Sequence, residues 1–298
     1  MRSSGGAVLL GEHAPPGRRA RYVSFIPIGN AAGLLAASLV VTGLHSVLGS
    51  EAMESWGWRV PFLLGVPLTI IGWYIRRKID ETPDFLEIQN DHTVSEAPVF
   101  ASLKAHWKTM LRLLCIMGVN AGGYYLVLSY MSSYIETEVH LTTFQSSLIV
   151  SVSLVLYLPI LYLFAGLADT IGRKPVLIAN AVLFLVFSFP AFLLLSQNGF
   201  ITALVVQVLM TSVFALNDST FATYFIESFP ANVRFSGFAI PFNFGVALFG
   251  GTTPLLASWL IGYTGVSAAP AFIVMAIAAL CLTALLFSPE TAPSRKTQ

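Results

Sequence analysis

The chain has 298 residues, of which 55% are hydrophobic and 10% are charged, and its formal net charge is +1. Because soluble domains carry about 25% charged residues, this composition excludes an ordinary soluble domain and predicts an all-α polytopic membrane protein embedded in a lipid bilayer. The small net charge gives no reason to expect a nucleic-acid partner. Two cysteines inside apolar runs and five scattered histidines predict no disulfide framework, metal site or cofactor.

Eight apolar runs are long enough, or nearly so, to cross a hydrocarbon core of about 30 Å as helices that rise about 1.5 Å per residue. The second run is the weakest, because arginines bound it on both sides. The runs lie at 23–47, 57–75, 111–135, 144–165, 176–195, 200–223, 236–260 and 268–287.

The basic residues predict the orientation of these spans. Leaving Arg2 aside, fourteen of the other fifteen Lys and Arg residues fall on one side of the membrane, and Arg59 falls on the other. By the positive-inside rule the basic side is the cytosol. The sequence therefore predicts a multi-pass protein of the cytoplasmic membrane with both termini in the cytosol.

An internal repeat at an offset of roughly 210 residues indicates two parallel copies of one unit. The second copy is complete, with six spans, whereas the first keeps only its last two, so we expect about four spans to be missing upstream of Met1. The matching elements are the E-x-x-P-x-x-x-R motifs at 12–19 and 227–234, the Ile-Pro pairs at 26–27 and 240–241, and the Glu-Thr pairs at 81–82 and 290–291.

Several sequence blocks resemble a known family, the metabolite:proton symporters of the major facilitator superfamily, which includes proline/betaine, α-ketoglutarate, citrate and shikimate carriers. The resemblance implies a twelve-helix bundle, with helices five to twelve present here, and a proton as the coupling ion. The blocks lie at 5–10, 56–65, 76–83, 165–175, 227–237 and 242–252.

The repeat and the resemblance together predict four regions. Residues 1–75 hold the remnant of an N-terminal bundle (the end of helix four, then helices five and six), and 76–110 form a cytoplasmic linker. A complete C-terminal six-helix bundle follows at 111–287, and 288–298 form a cytoplasmic tail.

The loop AGLADTIGRKP joins two spans, and it matches the superfamily pattern G-x-L-A-D-R-x-G-R-[RK] at Asp169, Gly172, Arg173 and Lys174. Thr170 stands where the pattern has an arginine. The resemblance implies a gate latch in which the carboxylate faces a helix N-terminus and the guanidinium pairs with a carboxylate on a neighbouring helix. The alternative is an ordinary turn that sets topology.

Glu227 and Arg234 flank a turn that begins at Pro230. One interpretation is a charge pair that breaks and re-forms as two bundles rock. The other is that both residues are anchors at the level of the lipid headgroups.

Asp218 is the one carboxylate well inside an apolar run, which favours a functional group that faces a wet cavity. It could carry the proton or contact a cationic substrate, or it could be satisfied by Asn217, Ser219 or Thr220.

Other polar residues lie at similar depths in the spans and are candidates for the substrate pathway. Asn120 and Tyr124 share one helix face, because they are four residues apart. The alternative for each buried amide is a hydrogen bond that joins two helices. The further candidates are Tyr125, Asn243 and Asn30.

Together these features predict a secondary active transporter that moves a small polar or charged metabolite with protons by alternating access. The sequence contains neither a phosphate-binding loop, which would indicate a nucleotide partner, nor a cluster of nucleophiles, which would indicate an enzyme. We expect the 298-residue chain alone to be transport-incompetent. The alternatives are a non-transporting truncated membrane protein or gene remnant, and an eight-helix protein that needs to dimerise.

Overall fold

The structure is a computed structural model that describes residues 2–76, 98–197, 199–230 and 233–292. Thirteen α-helices account for most of these residues. In chain order they are α1 (Arg2–Glu12), α2 (Arg19–Val23), α3 (Phe25–Ala52), α4 (Arg59–Arg76), α5 (Pro98–Gly123), α6 (Met131–Thr137), α7 (Thr143–Ile171), α8 (Arg173–Leu195), α9 (Phe200–Asp218), α10 (Phe221–Glu227), α11 (Arg234–Gly245), α12 (Thr253–Thr264) and α13 (Pro270–Leu286).

The helices form eight apolar segments, some made of two consecutive helices, and these segments match the eight apolar runs one to one. Six are long and apolar enough to span a bilayer, and two at 59–74 and 270–286 are shorter. The predicted all-α membrane fold is therefore confirmed. The six longer segments are Arg19–Gly49, His106–Thr137, Thr143–Ile171, Arg173–Leu195, Phe200–Glu227 and Arg234–Thr264.

Two of the spans contain π-helical segments, Tyr124–Tyr130 and Val246–Gly250. A π-helical turn disturbs the regular backbone ladder, and such turns are frequent at functional sites. The Gln207 side chain donates a hydrogen bond to the Val127 carbonyl, at 2.8 Å in a buried position. This bond satisfies a backbone acceptor inside the first π-helical segment.

The spans from α5 onwards share one hydrophobic core. In it α8 packs against α13 and α9, α7 packs against α9, and α5 packs against α11 and α13. The first spans are far less covered: 6% of the apolar window in Arg19–Gly49 is buried, against 67% in His106–Thr137. Helix α3 packs along α7, and α4 packs against α3 at the edge of the molecule.

The predicted linker and tail are only partly within the described residues. Positions 77–97 and 293–298 lie outside them, and the linker from Pro98 onwards is the first part of α5, with a bend at His106. The beginning of the predicted tail is packed rather than free, because Ser288, Thr291 and Ala292 are buried.

Candidate functional site

Asp218 is held by two side chains from two other spans. Its Oδ1 accepts a hydrogen bond from Asn120 Nδ2 at 2.9 Å, and its Oδ2 accepts one from the Tyr157 hydroxyl at 2.5 Å. The residue is only 7% exposed. The carboxylate therefore ties α5, α7 and α9 together through neutral donors.

A break in the helix places this carboxylate. Helix α9 ends at Asp218 and α10 begins at Phe221, with Thr220 N–H bonded to the Asn217 carbonyl at 3.0 Å in a tight turn. The sequence alternative, in which Asn217, Ser219 or Thr220 satisfies Asp218, is not what the structure shows: the recorded partners come from other spans. Ser219 instead donates to Leu216, and the buried Asn217 amide atoms have no hydrogen-bond partner among the described residues.

A cavity of about 210 Å³ lies beside Asp218. Five of the seven predicted pathway residues line it, namely Asp218, Asn120, Tyr124, Tyr125 and Asn30. Asn217 and Asn243 are not in its lining, and Asn243 donates to the Ala239 carbonyl of its own helix instead.

The cavity wall combines one acid with several aromatic rings. Among the residues that line it, Asp218 is the one charged side chain, and the first π-helical segment supplies Tyr124 and Tyr125. Phe221, Phe238 and Phe242 add further rings, and Phe238 and Phe242 stack with their centroids 5.5 Å apart. Such a wall can attract an ammonium group through cation–π interactions, which are worth about 0.5–2 kcal/mol.

A second cluster lies at the loop AGLADTIGRKP, where Asp169 contacts the start of α2. Its carboxylate accepts the backbone N–H groups of Ala20 at 2.9 Å and Arg21 at 3.1 Å. The first N–H groups of a helix have no partner within the helix, so that a carboxylate there is favourable. This is the geometry that the family resemblance implied for Asp169.

Arg173 lies at the centre of the same cluster. It bonds to Glu227 through Nε and Nη2, both at 3.2 Å, and its Nη2 lies 3.1 Å from Asp169 Oδ1. Nη1 donates to the Ala168 carbonyl at 2.9 Å, and the side chain is 2% exposed. A buried guanidinium needs such a full set of acceptors, because an unpaired buried charge is costly.

The two copies of the repeated motif form ion pairs with each other. Arg234 Nη1 lies 2.6 Å from Glu12 Oε1, and Arg19 Nη1 lies 3.8 Å from Glu227 Oε1. A pair between Glu227 and Arg234 was one of the two interpretations from sequence; in the structure Glu227 lies with Arg19 and Arg173, and Arg234 lies with Glu12. The physical reason is that each motif presents an acid and a base to the equivalent motif of the other copy, while Arg173 takes both Glu227 oxygens.

Glu290 completes the cluster from the C-terminal side. Its oxygens accept the backbone N–H groups of Arg173 and Lys174, both at 3.1 Å, at the start of α8. The adjacent Thr291 hydroxyl donates to Glu227 at 2.9 Å. The first residues of the predicted tail therefore hold the start of α8. We call the cluster of Glu12, Arg19, Asp169, Arg173, Glu227, Arg234 and Glu290 the latch.

Gly172 and Lys174 shape the loop around this contact. Gly172 has φ of 104°, where a side chain is strained, and a Cβ there would lie 2.7 Å from Glu290 Oε2, so that Glu290 would have to shift. Lys174 Nζ donates to the Ser288 carbonyl at 2.7 Å. All four predicted loop residues thus lie at or beside the latch.

Sequence reasoning missed Tyr157, Glu12, Arg19 and Glu290 as site residues. The last three had a signal, since each lies in an element of the internal repeat. Tyr157 had none, because one tyrosine in an apolar run resembles any other aromatic residue at a helix interface.

Comparison with known proteins shows which family the chain belongs to. The family model described as the Major Facilitator Superfamily matches residues 1–240 and 113–298. The chain belongs to this superfamily. Among solved structures, the major facilitator proton:xylose symporter XylE has a TM-score of 0.74 at 19% identity, covering 97% of this chain and 68% of XylE. That likeness supports the fold.

Named relatives agree with the resemblance seen in the sequence. The ectoine/proline transporter ProP of Corynebacterium glutamicum is 33% identical over 97% of this chain and 60% of its own length. The citrate-proton symporter of Klebsiella pneumoniae is 31% identical over 93% of this chain and 62% of its own length. The predicted superfamily is confirmed, and the chain spans about three fifths of the length of these relatives.

Proposed function

We propose that this chain serves secondary active transport, in which a small polar or charged metabolite crosses the cytoplasmic membrane with a proton by alternating access. Its superfamily and its relatives, which are named as transporters and proton symporters, support this activity. The observation that carries the proposal is Asp218: a carboxylate buried among neutral groups, yet lining a cavity large enough for a small metabolite.

Asp218 is suited to carry the proton. Its two hydrogen-bond donors, Asn120 and Tyr157, are neutral. An ionisable group inside a span costs about 2.5–3.5 kcal/mol on insertion scales, so it is retained where it performs a function. Protonation removes the charge, which makes the carboxyl group cheaper to enclose when the cavity is closed from both sides.

The latch is suited to close one end of the pathway. It joins α1 and α2, which belong to the region proposed as an N-terminal bundle (1–75), to α7, α10 and α11 of the C-terminal bundle (111–287). Because every latch residue lies at the basic end of the spans, we place this end in the cytosol. Rocking of the bundles would break the pairs between them and open that end.

The cavity favours a zwitterionic substrate with an ammonium group over a polycarboxylate. Its aromatic rings attract positive charge, and its amides and phenols can donate to one carboxylate. Relatives are named for ectoine and proline as well as for citrate. Of these two chemistries, the first matches the wall.

The test is uptake of labelled glycine betaine, L-proline and citrate by cells that express the gene from its own chromosomal locus, which keeps all flanking coding sequence. We expect uptake of a zwitterion that rises with an inward proton gradient. The variant Asp218→Asn should lose this dependence, whereas Glu136→Gln, an acid outside the cavity lining, should keep it. Uptake unchanged by Asp218→Asn would contradict the proposal, and a lack of uptake of any probe would favour a non-transporting membrane protein.

A further inference from the structure

The two oxygens of Asp218 have partners of different kinds. Asn120 lines the cavity together with Asp218, whereas Tyr157 is 1% exposed and packs behind them. The Tyr157 ring stacks on Phe214, with 6.2 Å between centroids and 13° between planes. An ionised carboxylate only accepts hydrogen bonds, and both partners donate to it here.

Adding a proton to Asp218 forces one of these partners to become an acceptor. Asp218 is the acceptor recorded for the Tyr157 hydroxyl among the described residues, so a switch there would leave a buried O–H without a partner. Asn120 has an alternative, since rotation of its amide presents the carbonyl oxygen instead of the NH₂ group. The geometry therefore favours protonation at Oδ1, on the Asn120 side.

We propose that Asn120 is a substrate-binding residue that couples the proton on Asp218 to the substrate. When Asp218 is ionised, the Asn120 NH₂ group is bound to it. When one proton from solvent occupies Oδ1, the Asn120 carbonyl accepts that O–H, and the NH₂ group turns into the cavity, where it donates to the carboxylate of a zwitterion. The same proton returns to solvent when the substrate is released, and no other covalent bond forms or breaks. This inference rests on the proposed function, because it takes Asp218 as the proton site.

The side chains that surround Asp218 are phenols or uncharged groups, so Asp218 is the group that we expect to respond to pH. The titratable side chains that face it are phenols, Tyr157 from α7 and Tyr124 and Tyr125 from the π-helical segment after α5. Helices α1, α3, α10 and α11 contribute only uncharged residues to the cavity lining. Helix α8, which also packs against α9, carries its charged side chains Arg173 and Lys174 at the latch.

The first experiment needs no ligand. Infrared difference spectra between acidic and alkaline pH are recorded on the full chain in lipid nanodiscs. We expect a protonated-carboxyl band that is lost in Asp218→Asn, together with a side-chain amide band that is lost in Asn120→Leu. The control Asn30→Leu, which removes a cavity amide that is not bonded to Asp218, should keep both bands. An amide band that persists in Asn120→Leu, or that is absent from the unaltered chain, would overturn the inference.

The second experiment uses glycine betaine as the probe and measures its affinity and the protons taken up per molecule bound. Because coupling between two sites is reciprocal, the unaltered chain should bind betaine about tenfold or more tightly at acidic pH and take up close to one proton. Asn120→Leu should bind weakly with no pH dependence and no proton uptake, whereas Asn30→Leu should bind weakly with the pH dependence intact.

The two experiments separate this inference from the proposed function. Tyr157→Phe should keep the pH dependence, because Tyr157 is not the group that switches. If Asn120→Leu retained the proton uptake of the unaltered chain, the inference would fail while Asp218 remained the proton site. If Asp218→Asn also retained it, the proposed function would fail. Folding of each variant is checked by its thermal unfolding midpoint, and Asn120→Ser replaces Asn120→Leu if the latter does not fold.

Discussion

Replacing Glu12 by Gln should open the latch, because it removes the charge that holds Arg234 across the two copies of the repeat. The Arg234 Nη1 to Glu12 Oε1 distance is 2.6 Å, and the side chains are 17% and 7% exposed respectively. Breaking a buried pair costs about 3–5 kcal/mol, while an exposed pair is worth about 0.2–1 kcal/mol. For this mostly buried pair we expect about 2 kcal/mol, which corresponds to about a 30-fold shift between closed and open forms.

The assay is the rate at which an impermeant thiol reagent, applied from the basic end, labels a cysteine in the cavity wall. Val246→Cys serves as the reporter, because Val246 lines the cavity, and Cys115 and Cys281 are first replaced by Ala. Glu12→Gln should accelerate labelling by about 30-fold. The control Arg18→Gln, an exposed charge next to the latch, should leave the rate nearly unchanged.

A double-mutant cycle makes the prediction refutable. If Glu12 and Arg234 act as one pair, then Glu12→Gln, Arg234→Gln and the double variant should accelerate labelling to a similar extent. The charge exchange Glu12→Arg with Arg234→Glu should restore most of the slow rate. Multiplicative effects of the two single changes, with no recovery on charge exchange, would show that the pair does not hold the latch closed.

Two further predictions concern the stability of the latch, measured as thermal unfolding midpoints in detergent. Glu290→Gln should destabilise the chain by about 1–2 kcal/mol, because the charge that accepts the first N–H groups of α8 is lost, and the exposed Glu54→Gln is its control. An unchanged midpoint would show that this cap is not needed. Gly172→Ala should cost more than about 1 kcal/mol, because φ is 104° and a Cβ would approach Glu290. Gly262→Ala, whose Cβ would meet nothing within 4 Å, should not lower the midpoint.

The spans could be predicted from sequence because their signal is local. A helix that crosses lipid satisfies its own backbone groups and needs only a continuous apolar run, so its position follows from hydrophobicity alone. The same holds for the loop at Asp169–Lys174, where a short charged turn with Gly172 between two apolar runs has few alternatives. The break after Asp218 was not predicted, since no proline or glycine marks it.

The partners of the charged residues could not be predicted in the same way, because they depend on contacts between distant segments. Glu12 and Arg234 are 222 residues apart, and Tyr157 and Asp218 are 61 apart. Nearness in sequence suggested a pair between Glu227 and Arg234 as one interpretation. In the structure each of them instead pairs with a residue of the other copy, Glu227 with Arg19 and Arg234 with Glu12. The repeat contained a signal for the observed pairs, since each motif carries an acid and a base that can pair with the base and the acid of the equivalent motif.

Asp218, which we propose as the proton site, and the latch are linked by one short helix. Helix α10 begins at Phe221, which lines the cavity three residues after Asp218, and ends at Glu227 in the latch. Seven helical residues place these ends about 9 Å apart, and a hydrogen-bonded helix of this length transmits displacement rather than absorbing it. We therefore expect release of Glu227 from Arg173 to displace Phe221 in the cavity wall. Since Asp218 lies at the break immediately before α10, a change in its hydrogen bonds acts on the same helix from the other end.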